Sequence, residues 1–138
     1  MHDVLAELGA RLILRTLAAR PRPIPQPEAG ATYAPKLSRD SGHIDWTGDA
    51  RAIERQVRAF DPWPGTFTTL HGKMLKVLAA QPCPGSGEPG AALDEHLTVA
   101  CGIDALRLTR VQLAGRPAMA VEDFLRGHAV KAGVLLGG

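Results

Sequence analysis

The sequence predicts a mainly β domain: a small OB-like barrel with one main helix and a short late helix, preceded by a detached amphipathic helix and a proline-rich linker. Three observations carry this. Short apolar runs with strand-like spacing follow one another from residue 66 to residue 113. One strong helical stripe, at residues 50–60, precedes them. Ahead of that, prolines at 21, 23, 25 and 27 cut an N-terminal helix off from everything else. About five short strands with a helix suit a small closed barrel. Strand order is not encoded in such a pattern, so an open α+β sheet is the alternative architecture.

Taken in order, residues 3–19 recur apolar at three- and four-residue steps through Leu5, Leu8 and Leu12, with Ile13 and Leu17 widening the face. Glu7, Arg11 and Arg15 occupy the polar side. A helix with so broad an apolar face needs a partner surface. The prolines that follow, and Gly30, rule out helix and favour an extended spacer. The chain thus divides into a terminal helix at 1–20, a linker at 21–42 and a barrel domain at 43–138.

Within the barrel domain, Thr47 is the expected N-cap, with Asp49 in the first turn near the positive end of the helix dipole. Ala50, Ile53, Val57 and Phe60 then form one apolar stripe. Asp61-Pro62 stops the helix, because a residue before proline avoids helical backbone angles. Trp63-Pro64-Gly65 makes a stiff corner. Strands are expected at Thr66–Leu70 and Met74–Ala79 around a His71-Gly72 break, and at 91–94, 97–101 and 105–113, with a loop at 82–90. A short helix at 121–126 should end at Gly127 as its C-cap, leaving a loose tail.

Composition narrows the function. The net charge of +2 is small, whereas a dedicated polyanion binder usually carries a clear basic excess. Any nucleic-acid role must therefore depend on where the cations sit. Cys83 and Cys101 have no metal-type spacing with histidine and are expected to be reduced, inert thiols. No apolar stretch approaches the ~18 residues of a membrane span. With acidic Asp3 and Glu7 near the start, a soluble cytoplasmic chain without a signal peptide or membrane partner is expected. Histidines at 2, 43, 71, 96 and 128 are scattered, without ligand spacing or a nucleophile partner.

The run Ala31-Thr32-Tyr33-Ala34-Pro35-Lys36-Leu37-Ser38, followed by Ile44-Asp45-Trp46, resembles the start of the C-terminal region in methionyl-tRNA formyltransferases. Residues 53–65, ending Phe60-Asp61-Pro62-Trp63-Pro64-Gly65, are similar to that family's most recognisable C-terminal motif. His2-Asp3 through Leu8-Gly9-Ala10 resembles the last helix of its catalytic domain, and Ala118–Gly127 its late helix. The resemblance implies a chain that serves transfer of a formyl group from 10-formyltetrahydrofolate to the methionine of initiator tRNA, in translation initiation. It places the chemistry and the folate in an N-terminal Rossmann-like domain expected ahead of residue 1, in the same chain or a separate one. This chain alone is expected to bind no cofactor, hold no metal, catalyse nothing and bind tRNA. The sequence departs from the family at Ala120, where members carry a serine-like cap, and at Leu135, where they often carry arginine.

The candidate RNA contacts are cations. Arg51, Arg55 and Arg58 stand at i, i+4 and i+7, one basic stripe beside the apolar one, and guanidinium groups on a rigid element can grip a phosphate backbone. A solvated face with Glu54 paired to Arg58 is the bland alternative. Lys36 and Arg39 lie in the lead-in to the domain, and Lys73 and Lys76 flank the hairpin. Residues 34–80 carry seven basic and five acidic side chains, against five and six in 81–138. Scarce aromatics favour core positions for Trp46, Trp63 and Phe67 over stacking platforms. Two other functions stay open: an accessory domain of another folate-dependent formyltransferase, and a scaffold module that binds a protein and no nucleic acid.

Overall fold

The computed structural model describes residues 2–137, apart from the His2 side chain. It contains two compact units that meet between Pro35 and Lys36. In the first, α1 (His2–Ala19) carries an i, i+4 ion pair between Arg11 and Glu7. Its apolar face is exposed, with Leu5, Leu8, Leu12 and Leu17 each about half or more accessible. Arg20, with a left-handed φ of 43°, ends the helix, and extended backbone follows.

The second unit is built around a five-stranded antiparallel sheet. Its strands are β1 (Thr66–Leu70), β2 (Lys73–Cys83), β3 (Thr98–Ala100), β4 (Ala105–Leu113) and β5 (Met119–Ala120). The order is β1-β2-β4-β3, with β5 on β4. His71 and Gly72, at φ of 50° and 70°, form the tight turn between β1 and β2. β2 pairs β1 with its first half and β4 along nearly its whole length, and its register slips between Val77 and Ala80. Such slips bend a strand and raise its twist, so one long strand wraps two sides of the core.

Irregular backbone carries the ring further. The Leu93 N–H donates to the Thr98 carbonyl beside β3, and Ala92 exchanges hydrogen bonds with Val134 and Gly133. The Gly137 N–H donates to the Thr69 carbonyl on β1. The segments around 92 and 134 thus link the sheet's two edge strands. The mainly β, OB-like expectation holds, with α2 (Ala50–Ala59) as main helix and α3 (Val121–Gly127) as the late one. Ala50, Ile53 and Val57 of α2 enter a core that includes Leu75, Val77, Leu106, Leu108, Val111 and Phe124.

Several local expectations are corrected. The cap of α2 is Asp49, whose carboxylate accepts the Arg51 N–H at 2.6 Å; Thr47 instead donates its N–H and hydroxyl to Asp45. Residues 91–94 make only isolated bridges. The tail is strapped down, with Val130 and Leu136 buried. Gly127 is the last residue of α3, and His128 takes the C-cap position with no left-handed glycine. Ala120 is the N-cap and makes no side-chain cap bond, as its methyl dictates.

Candidate nucleic-acid interface

Helix α2 turns one sequence stripe inward and the other outward. With Ile53 and Val57 fixed in the core, Arg51, Arg55 and Arg58 lie on accessible positions. Arg51 and Arg58 are about 10 Å apart along the axis at 1.5 Å per residue. The three are not equivalent. The Arg58 guanidinium bonds Glu54 through two nitrogens, the longer contact at 3.2 Å. The Glu54 carboxylate, by hydrogen bond first and charge second, raises the Arg58 pKa above its ordinary value. Arg51 and Arg55 make no ion pair among the described residues.

The lead-in to the domain is pinned to this helix. The Gln56 amide donates to the Ser41 carbonyl at 3.0 Å, and the Ser38 N–H donates to Ser41 Oγ at 3.1 Å. Between them a 3-10 turn, Asp40–Gly42, has Arg39 at its N-cap. That turn packs hard on the proline corner: a Cβ on Gly42 would lie 2.0 Å from the Gly65 carbonyl oxygen. The Gly65 N–H closes the corner by donating to Phe60 O at 2.9 Å.

The hairpin supplies the other wall. Phe67 is opposite Lys76, and Thr69 is opposite Met74, on the sheet face away from buried Thr68 and Leu75. His43 stands edge-on to Phe67 at 5.4 Å. Together the turn, corner and hairpin enclose a groove of about 580 Å³ lined by Arg39, Asp40, Pro62, Trp63, Pro64, Phe67, Met74 and Lys76. Of the seven candidate cations, Arg39 and Lys76 share this groove, Arg51, Arg55 and Arg58 share α2, and Lys36 and Lys73 are exposed singly.

Two aromatic assignments divide. Trp46 is a core residue, 5% exposed, its indole N–H donating to Thr68 Oγ1 at 3.1 Å. Trp63 is 57% exposed, contrary to the core position expected of it. Its flanking prolines hold the corner outside the barrel, a signal that the scarcity of aromatics concealed. Met74, 45% exposed, was missed as a lining residue because an apolar side chain near the start of a strand reads as a core position.

Nothing in the described residues gathers three metal-ligating side chains, and no described helix is long and apolar enough to cross a membrane. Cys101 is buried, and desolvation, with the Cys83, Asp49 and Asp104 charges adding, pushes its pKa up to about 11. It is therefore a neutral thiol near pH 7.

Residues 36–129 match the family described as formyl transferase, C-terminal domain. The methionyl-tRNA formyltransferase of Gluconobacter oxydans is 52% identical over 99% of this chain and 46% of its own length. That of Acidiphilium cryptum is 54% identical over 98% of this chain and 45% of its own. The chain thus spans a little under half of these relatives. Among solved structures, HypX from Aquifex aeolicus superposes with a TM-score of 0.60 over 92% of this chain and 24% of its own, at 22% identity, which bears on the fold alone. From Lys36 onward, this chain belongs to the formyl transferase C-terminal domain family.

Proposed function

We propose that the chain is the tRNA-holding part of a methionyl-tRNA formyltransferase, acting in the cytoplasm in translation initiation. An N-terminal formyltransferase domain, in cis or as a separate chain, binds 10-formyltetrahydrofolate and formylates the methionine of initiator tRNA. In this reading the chemistry and the folate belong to that domain, and the part of the residues here is to bind and orient the nucleic acid. The exposed apolar face of α1 is the surface that such a domain would cover, since an unpartnered stripe of leucines is unfavourable in water.

The observation that carries the RNA reading is the α2 surface. Arg51 and Arg55 stand exposed on a helix locked by its buried face, with no carboxylate partner among the described residues. Guanidinium groups on a rigid support lose little freedom when they bind phosphate. Lys36, Arg39, Lys73 and Lys76 extend the same positive side chains along the lead-in and hairpin. Fluorescence anisotropy with labelled initiator tRNA tests the reading: binding at low salt that weakens steeply as salt rises is expected. The double reversal R51E/R55E should abolish it while circular dichroism stays unchanged. No binding even at low salt would assign the chain to a scaffold role, and full binding by the double reversal would move the RNA contact off α2.

A further inference from the structure

We propose that the groove between the Trp63 corner and the β1–β2 hairpin is a subsite for one unstacked RNA nucleotide, its base against Trp63 and its phosphates toward Arg39 and Lys76. The inference rests on the RNA-binding reading above and deepens it. Phosphate contacts on α2 would fix position, and the groove would read a base.

The groove is unusual for this chain. Only six residues in 138 are aromatic (two Trp, one Tyr, three Phe), yet Trp63 is 57% exposed and Met74 beside it 45%. A large exposed apolar surface inside a concavity is informative in a way that scattered surface leucines are not. The walls are also fixed. Pro62 and Pro64 flank Trp63 in the chain, Gly42 packs against the Gly65 carbonyl, and His43 stands edge-on to Phe67. A preformed wall costs little to order on binding.

Charge selects the occupant. The lining combines apolar Trp63, Phe67, Met74 and two prolines with Arg39 and Lys76, neither in an ion pair among the described residues. That combination suits a flat ring joined to an anion. A cavity of about 580 Å³ lies inside the roughly 300–1,000 Å³ range of pockets for small organic groups. Asp40, also in the lining, repels phosphate locally but can accept from an amino group on a base edge, as carboxylates do from cytosine. A paired base is sealed within its stack, so the occupant must come from a loop, bulge or end. An apolar peptide would leave both cations unused.

The full chain provides its own reporter, because its two tryptophans differ: Trp46 is buried and Trp63 is open. Intrinsic emission is followed while the chain is titrated with a single-stranded oligoribonucleotide of about six nucleotides, within the footprint of small barrels that bind single strands. The same phosphodiester chain made abasic and a blunt RNA duplex are run in parallel. The expected result is quenching by the single strand, absent with the other two and absent in W63A. W63A should bind the single strand about 5- to 150-fold more weakly, the span of one base–aromatic stack, with an unchanged salt slope. W63F should restore most of the affinity, which a merely structural change would not. RNA binding without any change in Trp63 emission, or with W63A equal to the parent, overturns the subsite and leaves the α2 surface standing. Absence of binding by tRNA and every other RNA overturns both.

Discussion

Truncating the α2 arginines one at a time should reveal an unequal stripe. Each guanidinium that neutralises a phosphate contributes about 0.9 to the slope of log K against log salt on a duplex stem. Raising salt from about 50 to about 200 mM therefore weakens binding about 3.5-fold per contact, and about 12-fold for two. R51A and R55A should each flatten the slope by about one contact, and the double variant by about two. R58A should do less than either, because Glu54, whose side chain is only 19% exposed, already holds that guanidinium. Conversely, E54Q removes the competing carboxylate and should tighten binding at low salt. Anisotropy titrations with labelled tRNA at four or so salt concentrations measure all five proteins. A slope unaffected by R51A/R55A would refute the α2 interface. An R58A effect as large as that of R55A would refute the claim that the pair with Glu54 withholds a cation.

Three further predictions concern the scaffold. Gly42→Ala puts a methyl 2.0 Å from the Gly65 backbone oxygen, and overpacking against backbone costs about 1–3 kcal/mol or more. The Tm should fall by roughly 5 °C or more, whereas Gly127→Ala, with nothing within 4 Å of the new methyl, should leave it level or slightly higher. Asp49→Ala removes the α2 cap and should cost about 1 kcal/mol in denaturant unfolding, while Ala120→Ser should add a similar amount at the uncapped start of α3. Native chain near pH 8 should react with a thiol reagent at Cys83 well before buried Cys101, the second equivalent appearing on unfolding. Since the folded pKa of Cys101 is raised to about 11, the unfolded state ionises first, and stability should fall as pH rises from about 9 toward 11. The variant C101A should flatten that decline.

Patterned elements were legible in the sequence because their cause is local. Ile53 and Val57 announce a helix face, Asp61-Pro62 its end, and His71-Gly72 a turn between alternating runs. Where tertiary contacts choose among local options, sequence reading failed. Thr47 and Asp49 are both good caps. The choice falls on Asp49 because the Ala50 N–H donates to Ile103 O while the Gly102 N–H reaches Trp46 O and Gly48 O, fixing the segment against a distant loop. Residues 91–94, Ala-Ala-Leu-Asp, lack β-branched side chains and pair on opposite sides with Val99 and Leu135, too briefly for a ladder. Val130 and Leu136 show no period, so only the seam they fill reveals their burial. Of the candidate site, the α2 stripe follows from spacing alone. The groove does not, because its walls come from three segments that meet only in space.

The small net charge, which argued against a dedicated polyanion binder, fits a tethered one. A helix that seals the core with one face and offers two unpaired arginines on the other supplies few phosphate contacts, so affinity should be modest and salt-sensitive. Under the proposed function that suffices, since a contact made alongside a linked module is intramolecular and needs less intrinsic affinity. Under the proposed function a strong autonomous grip would slow release of the formylated product, whereas a weak one sharpened by a single base in the proposed groove would give orientation without that delay.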